Sequence, residues 1–373
     1  MKENKIIGEN EGSIIERFDI HMRASTIAGE SYFWHNPQDK PFHIVGLAWF
    51  KEEKTYRRMP MKPSQTLPEA VDHLANHTAG GQIRFRTNSK RIAVRVKLAG
   101  AADMTHMPQT GQCGVDCYIG EPGEMVFCGG TNFPLGQTSY EVAICQFDRT
   151  ETRQVTLNLP LYMGVEEIAI GLEEGASVTE PSAYVSNKKV IIYGTSITQG
   201  GCANRPGMAY PNILSRRIPL EFINLGFSGS GRSEPEVAHV ISEIDNPACL
   251  VIDAEANCQG IDNMKRTLKE FVRIYREAHP HTLILLMSQI PYASENVKVI
   301  LRQEREERKA YQMACVEEWR EQGDSAIYFI DGSVMLGSED CFEGTVDGVH
   351  PTDLGFKQMA DYLTPILRSY LLV

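Results

Sequence analysis

Apolar and polar residues alternate with period two through much of the first half of the chain. Ile83 and Phe85, then Ile92, Val94, Val96 and Leu98, are separated by polar or small residues, the spacing of strands with one buried face. Thr87-Asn88-Ser89 lies between the two runs as a turn, so the pair reads as a hairpin. The pattern recurs at Val115, Cys117 and Ile119, at Val142 and Ile144, at Val155, Leu157 and Leu159, and at Ile168, Ile170 and Leu172. Glycines and prolines punctuate these runs. A short helix near residues 67–74 is the one helical pattern here. Many short strands at regular spacing predict an antiparallel β-sandwich of jelly-roll type.

The pattern changes near Ser186-Asn187-Lys188. Strands are predicted over residues 189–193, 222–225, 250–253, 283–288 and 326–330, with helices between them. Met264, Leu268, Phe271, Val272 and Tyr275 fall on one helical face, with Asp262 as a candidate N-cap. The charged stretch 295–322 reads as one long helix or two joined ones, 235–244 as a short helix, and 352–370 as the last. Strands alternating with helices predict a parallel sheet covered on both faces. The expected division is an accessory β-sandwich over residues 1–185 and an α/β domain over 186–373.

A length of 373 residues suits two domains. The net charge of −11 argues against nucleic acid as a partner, since phosphate contacts need concentrated Lys and Arg. The basic run Arg84, Arg86, Lys90, Arg91, Arg95 and Lys97 alternates with apolar residues and reads as the wet face of the strand pair. No apolar run approaches the ~20 residues of a membrane span. Met1-Lys2-Glu3-Asn4-Lys5 has no apolar segment behind it, so no secretion signal is seen and a cytoplasmic location is expected. The nine cysteines are scattered, without a CxxC pair. Cys113 and Cys117 have a metal-like spacing but no second pair follows, so buried reduced thiols are expected, with no metal.

The chemistry centres on Val190-Ile191-Ile192-Tyr193-Gly194-Thr195-Ser196. This is a buried strand ending in glycine, and it places Ser196 just past the carboxyl edge where open α/β sheets hold ligands. A serine nucleophile needs a base, a group to orient that base and donors for the oxyanion. His350 and Asp347 stand three apart in Asp347-Gly348-Val349-His350-Pro351; a carboxylate that close can fix the imidazole tautomer. Asn224-Leu225-Gly226-Phe227-Ser228-Gly229-Ser230-Gly231 follows the second strand, where its glycines can turn backbone N–H groups into a cleft. The loop does not fit a nucleotide-binding pattern. Asn257 follows the third strand and offers a side-chain donor. All these places fall at the carboxyl edge of one sheet.

The order Ser…Gly…Asn…Asp-x-x-His over residues 188–373 resembles the SGNH/GDSL hydrolase superfamily. The resemblance implies a flavodoxin-like three-layer domain with a five-stranded parallel sheet and a serine esterase without cofactor. By it Ser196 is the nucleophile, although Gly-Thr-Ser stands in place of Gly-Asp-Ser. His350 is the base and Asp347 its partner. The oxyanion hole is formed by Ser196, Gly229 and Asn257, with Gly226 or Gly231 as alternatives to Gly229. Glu255-Ala256-Asn257-Cys258 departs from the usual Gly-x-Asn-Asp. Gly114-Val115-Asp116-Cys117-Tyr118 resembles the Gly-x-Asp-Leu-Tyr signature of a β-sandwich preceding some bacterial members, which look like carbohydrate acetyl esterases. The expected substrate is a small-molecule or oligosaccharide ester, acetyl foremost; oligomerisation is left open. Lipase- or thioesterase-type activity on a non-sugar ester, and a non-catalytic carbohydrate-binding protein, are the alternatives. Tyr32-Phe33-Trp34-His35 and Trp49 are candidates for a sugar platform or for sandwich core.

Overall fold

The alternating runs over residues 82–98 do form two strands, but the strands do not pair with each other. The computed structural model describes residues 31–337 and 341–372, with positions 15, 19 and 27 before them; the Met1–Lys5 stretch lies outside the described residues. A four-stranded antiparallel sheet has the order β1 (Phe33–His35), β9 (Val165–Leu172), β4 (Arg91–Leu98), β7 (Ser139–Gln146). A six-stranded sheet has the order β10 (Val178–Thr179), β3 (Gln82–Thr87), β8 (Arg153–Asn158), β5 (Asp116–Ile119), β6 (Val126–Gly130), with β2 (His43–Val45) also on β3. The Thr87–Ser89 connection therefore crosses between sheets, and the expected hairpin is corrected. Period two says only that one face is buried. It cannot say whether the next strand lies beside it or across the core. Ile83, Phe85, Ile92, Val94, Val96, Val142, Leu157 and Ile170 interdigitate in one inter-sheet core.

The outer face of the six-stranded sheet is covered by residues 182–184 and by the second half of the chain. Arg84 is 2% exposed; it donates to Ser182 O at 2.7 Å and stacks on the Tyr184 ring at 3.9 Å. Gln82 donates to Ser215 Oγ at 3.2 Å. The wet-face reading thus fails at Arg84 and holds on β4, where Arg95 and Lys97 pair with Glu141 and Glu166. The Gly-x-Asp-x-Tyr signature is a clasp between the halves. Asp116 is fully buried and accepts from Asn158 Nδ2 at 2.7 Å, Gly207 N at 2.8 Å and Arg205 Nη1 at 2.9 Å. Arg205 also donates to Tyr118 OH at 2.6 Å.

The second half is the expected parallel sheet, in the order β12 (Glu221–Gly226), β11 (Lys189–Gly194), β13 (Pro247–Asp253), β14 (Leu283–Met287), β15 (Ile327–Ile330). Val190 and Ile192 face a core shared with helices Tyr210–Arg217 and Asp353–Leu371. Ile191 and Tyr193 face the other side, under helices Pro235–Ile241, Ile261–Ala278 and Val299–Glu321. Near-continuous apolar strands are what burial on both faces demands. Met264, Leu268, Phe271, Val272 and Tyr275 are all buried. Gly260, not Asp262, occupies the N-cap, with Asp262 inside the first turn. The charged stretch is a single helix, Val299–Glu321, preceded by a short 3₁₀ turn at Ala293–Asn296. Among the described residues no helix is long and apolar enough to cross a membrane, and all nine cysteines are free.

Candidate active site

Strand order decides what meets at the carboxyl edge. β11 lies between β12 and β13, so the loops carrying Gly229 and Asn257 flank Ser196 on either side, at the crevice where strand order reverses. Ser196 opens the helix Ser196–Gln199. Thr195 caps it in a reciprocal box: its hydroxyl accepts from Ile197 N at 3.3 Å, and Thr195 N donates to Thr198 Oγ1 at 3.2 Å. Gly194 admits no side chain, since a Cβ there would lie 2.1 Å from Thr198 Oγ1. The tight turn thus explains the glycine before the serine.

His350 comes from the loop before the last helix. A bridge between Thr345 and Pro351, with Val346 N donating to His350 O at 2.9 Å and Thr352 N to Gly344 O at 2.8 Å, closes that loop on itself. His350 Nε2 lies 3.0 Å from Ser196 Oγ, and His350 Nδ1 lies 2.8 Å from Asp347 Oδ2. Asp347 Oδ1 accepts from His350 N at 2.7 Å and Val349 N at 2.9 Å. Burial pushes the Asp347 carboxyl up, but these hydrogen bonds outweigh it and hold the group below its usual range. Asp347 is therefore an acceptor-only partner for the Nδ1–H.

Gly229 is exposed with φ +68° and open space where a Cβ would stand, whereas Gly226 and Gly231 are packed, with backbone atoms 2.1 Å from their would-be Cβ positions. Among the described residues no hydrogen bond occupies the backbone N–H of Ser196 or Gly229. The Asn257 side chain is likewise without a partner, and its Oδ1 is buried. A buried side-chain oxygen left without a partner, as at Asn257, is unusual in a native structure.

Several supporting residues escape the sequence reading. Glu255, two residues before Asn257, is 2% exposed. It accepts from Gln289 N at 2.9 Å, Gln312 Nε2 at 2.6 Å and Arg308 Nε at 3.3 Å. It thereby pins the turn that carries Asn257 to the sheet and to the long helix. Asp253 lies buried beneath Ser196 and accepts from Thr198 Oγ1 at 2.8 Å and Tyr210 OH at 2.9 Å. The two acids inside the apolar run Val251-Ile252-Asp253-Ala254-Glu255 were the signal available. From the sandwich side, Tyr162 OH donates to Ser196 O at 3.2 Å, and Gln199 joins Leu161 O at 3.1 Å to Ser228 N at 3.0 Å.

Burial raises the Asp253 carboxyl from 3.8 to about 7. Between those values the folded protein holds a proton that the unfolded chain releases, so this group's contribution falls as pH rises from about 4 to 7. Asp253→Asn keeps an acceptor for Thr198 and Tyr210 but does not titrate. Relative to wild type, the variant is expected to gain roughly 2–3 kcal/mol between pH 5 and pH 8. Urea unfolding at the two pH values measures this, and parallel pH dependences would refute it.

Two groups of metal-type donors come together among the described residues: His106, Cys202 and His350, and Cys117, Cys128 and Cys145, each set with ligand atoms within 4.8 Å. In the first, both ring nitrogens of His350 are already engaged by Ser196 and Asp347. The second joins β5, β6 and β7 at the edge of the sandwich. The aromatic residues proposed as a sugar platform are elsewhere. Trp34 and His35 line a depression of about 600 Å³ with Tyr56, Arg95 and Glu166, and none of Ser196, His350 or Asp347 borders it. Trp49 packs half-buried against the core of the α/β half.

Residues 187–368 match the GDSL-like lipase/acylhydrolase family, and residues 32–178 match GxDLY, the N-terminus of SGNH-hydrolase-type esterases. A solved structure from Bacteroides ovatus assigned as a GDSL-like lipase is 31% identical, with TM-score 0.83, over 92% of this chain and 98% of that one.

The chain belongs to the GDSL-like lipase/acylhydrolase family.

It is a hydrolase of the SGNH/GDSL type with an N-terminal GxDLY β-sandwich. A salicylyl-acyltransferase from a tetracycline biosynthetic pathway shares the fold at 21% identity, with TM-score 0.72, over 88% of this chain and 95% of that one. A family two carbohydrate esterase from Cellvibrio japonicus shares it at 14% identity, with TM-score 0.57, over 91% and 98%. No curated protein sequence matches the chain.

Proposed function

We propose that this GDSL-family hydrolase is a serine esterase that removes short acyl groups, acetyl foremost, from carbohydrate hydroxyls. The observation that carries the reading is the hydrogen-bonded series from Ser196 Oγ through His350 to Asp347. His350 Nε2 takes the Ser196 proton as Oγ attacks the ester carbonyl, and Asp347 stabilises the imidazolium. The backbone N–H groups of Ser196 and Gly229 and the Asn257 amide meet the oxyanion, one such donor being worth ~3 kcal/mol of barrier. Gly229 is preferred to Gly226 and Gly231 because its left-handed, unpacked backbone leaves room for substrate, while the other two are filled by neighbouring backbone. Collapse expels the alcohol with the proton held by His350, and water clears the acyl-enzyme by the same base.

The acyl group and the sugar rest on likeness. Carbohydrate esterases from Cellvibrio japonicus and Clostridium thermocellum, the latter in complex with cellohexaose, and an acetyl xylan esterase from Butyrivibrio proteoclasticus share the two-part fold. The test is a fluorophosphonate label followed by a substrate screen. Labelling is expected at Ser196, and acetate release from acetylated mono- and oligosaccharides should exceed hydrolysis of octanoyl esters. An unlabelled Ser196 removes the serine mechanism, whereas faster octanoyl cleavage removes only the carbohydrate assignment.

A further inference from the structure

From the sandwich side, the His106 ring packs directly on His350. His106 is exposed, and its ring meets that of His350 edge-on at 5.9 Å between centroids. One of its nitrogens lies within 4.8 Å of a His350 nitrogen and of Cys202 Sγ. No hydrogen bond to another described residue engages it.

The loop that carries His106 is fixed from below. Gln112 is 2% exposed, and its side-chain oxygen accepts from Asp103 N and Met104 N, both at 3.0 Å. Its nitrogen donates to Met104 O at 3.0 Å and Met107 O at 2.6 Å. A buried amide with every bond directed at residues 103–107 makes that loop a rigid mount. Gly111 seats the mount on the catalytic half: a Cβ there would lie 2.0 Å from Ala203 O. Thr110 Oγ1 adds a bond to Asn204 O at 2.6 Å.

Chemistry decides which part of a substrate this imidazole meets. The base in an acyl transfer stands between the nucleophile and the departing oxygen, because it returns its proton to that oxygen. A group packed on the base therefore flanks the alcohol half of the ester, while the loops of Gly229 and Asn257 serve the carbonyl oxygen. We infer that His106 binds the alcohol half, hydrogen-bonding a hydroxyl beside the scissile oxygen, so that the sandwich completes the substrate cleft. An imidazole can donate or accept such a bond, which suits a polyol or sugar and gives nothing to an alkyl chain. The inference rests on the serine mechanism proposed above and does not require the sugar assignment.

By microscopic reversibility, the residue that holds a leaving alcohol also holds an attacking one. The acetyl-enzyme formed from 4-nitrophenyl acetate, offered glycerol in water, should give both acetate and glyceryl acetate. Both acceptors meet the same acyl-enzyme and the same base, so their ratio is unmoved by general damage to Ser196 or His350. His106→Ala should lower the ratio of glyceryl acetate to acetate about fivefold or more, the size of one hydrogen bond. His106→Gln, which keeps a donor and an acceptor, should recover part of it. An unchanged ratio in His106→Ala, or no glyceryl acetate from wild type, overturns the assignment. Absence of nitrophenol release together with an unlabelled Ser196 is a different signature, which overturns the serine mechanism and this assignment with it.

Discussion

Ser196→Ala is expected to lower turnover of 4-nitrophenyl acetate by ~10⁴-fold or more, with the fold intact. Ser196 Oγ has one partner, His350 Nε2, so its removal leaves no other buried group unsatisfied. The capping of its helix runs through Thr195 and Thr198 and does not use the serine hydroxyl. What is lost is the acyl-enzyme route. The donors proposed for the oxyanion remain, and a residual rate above the uncatalysed reaction is expected from them. The measurement is initial rate against enzyme concentration, with unfolding midpoints beside it. Activity near wild type would remove Ser196 as nucleophile; a collapsed midpoint would mean that the serine is structural.

Arg58→Ala should produce the largest loss of stability. Arg58 comes from the first half and is fully buried. Its Nε donates to His77 O at 2.7 Å and its Nη2 to Leu74 O at 2.8 Å. Its Nη1 reaches across to Asn224 O at 3.3 Å and to Gly226 O, and the guanidinium lies over the Phe227 ring at 4.7 Å. One side chain thus satisfies carbonyls on both halves and braces the strand end from which the Gly229 loop departs. Burial lowers its pKa to about 9, still above neutral pH, so the group enters charged. Alanine removes a donor from each of those carbonyls and leaves a cavity, Leu74 O keeping His77 N at 3.0 Å, at a cost of about 3–5 kcal/mol. A fall in the urea midpoint accompanied by lower turnover is expected. A loss below ~1 kcal/mol would show that the carbonyls find other partners.

Arg58 also marks where sequence reading stops. In Tyr56-Arg57-Arg58-Met59-Pro60 nothing separates it from Arg57, whose partner Asp72 lies in the same half; only the docking of the halves adds Asn224 O and Gly226 O to the partners of Arg58. Arg84 teaches the same point. Its alternation with Ile83 and Phe85 correctly implies a strand, yet its side chain is covered by Ser182 and Tyr184 rather than by water. The crossing at Thr87–Ser89 was unreadable because period two is the same for a hairpin and for two strands facing each other across a core. Asp116 was legible as part of a signature, but its task, receiving Arg205 and Gly207 from the other half, was not.

The sequence by itself determined the elements whose cause is local. The apolar runs of β11, β13 and β14 require burial on both faces, the apolar stripe of Ile261–Ala278 requires a helix, and Asp347 and His350 are close enough along the chain to meet. Gly194 before Ser196 is likewise a local requirement, imposed by the turn. Only the tertiary structure decided what depends on separate segments arriving at one place. The 3.0 Å approach of His350 to Ser196 spans 154 residues, the order β12-β11-β13 sets Gly229 and Asn257 on either side of the serine, and His106 reaches His350 from the sandwich. Local pattern encodes which face of an element avoids water. It does not encode the partner that covers that face, because many partners bury the same apolar area.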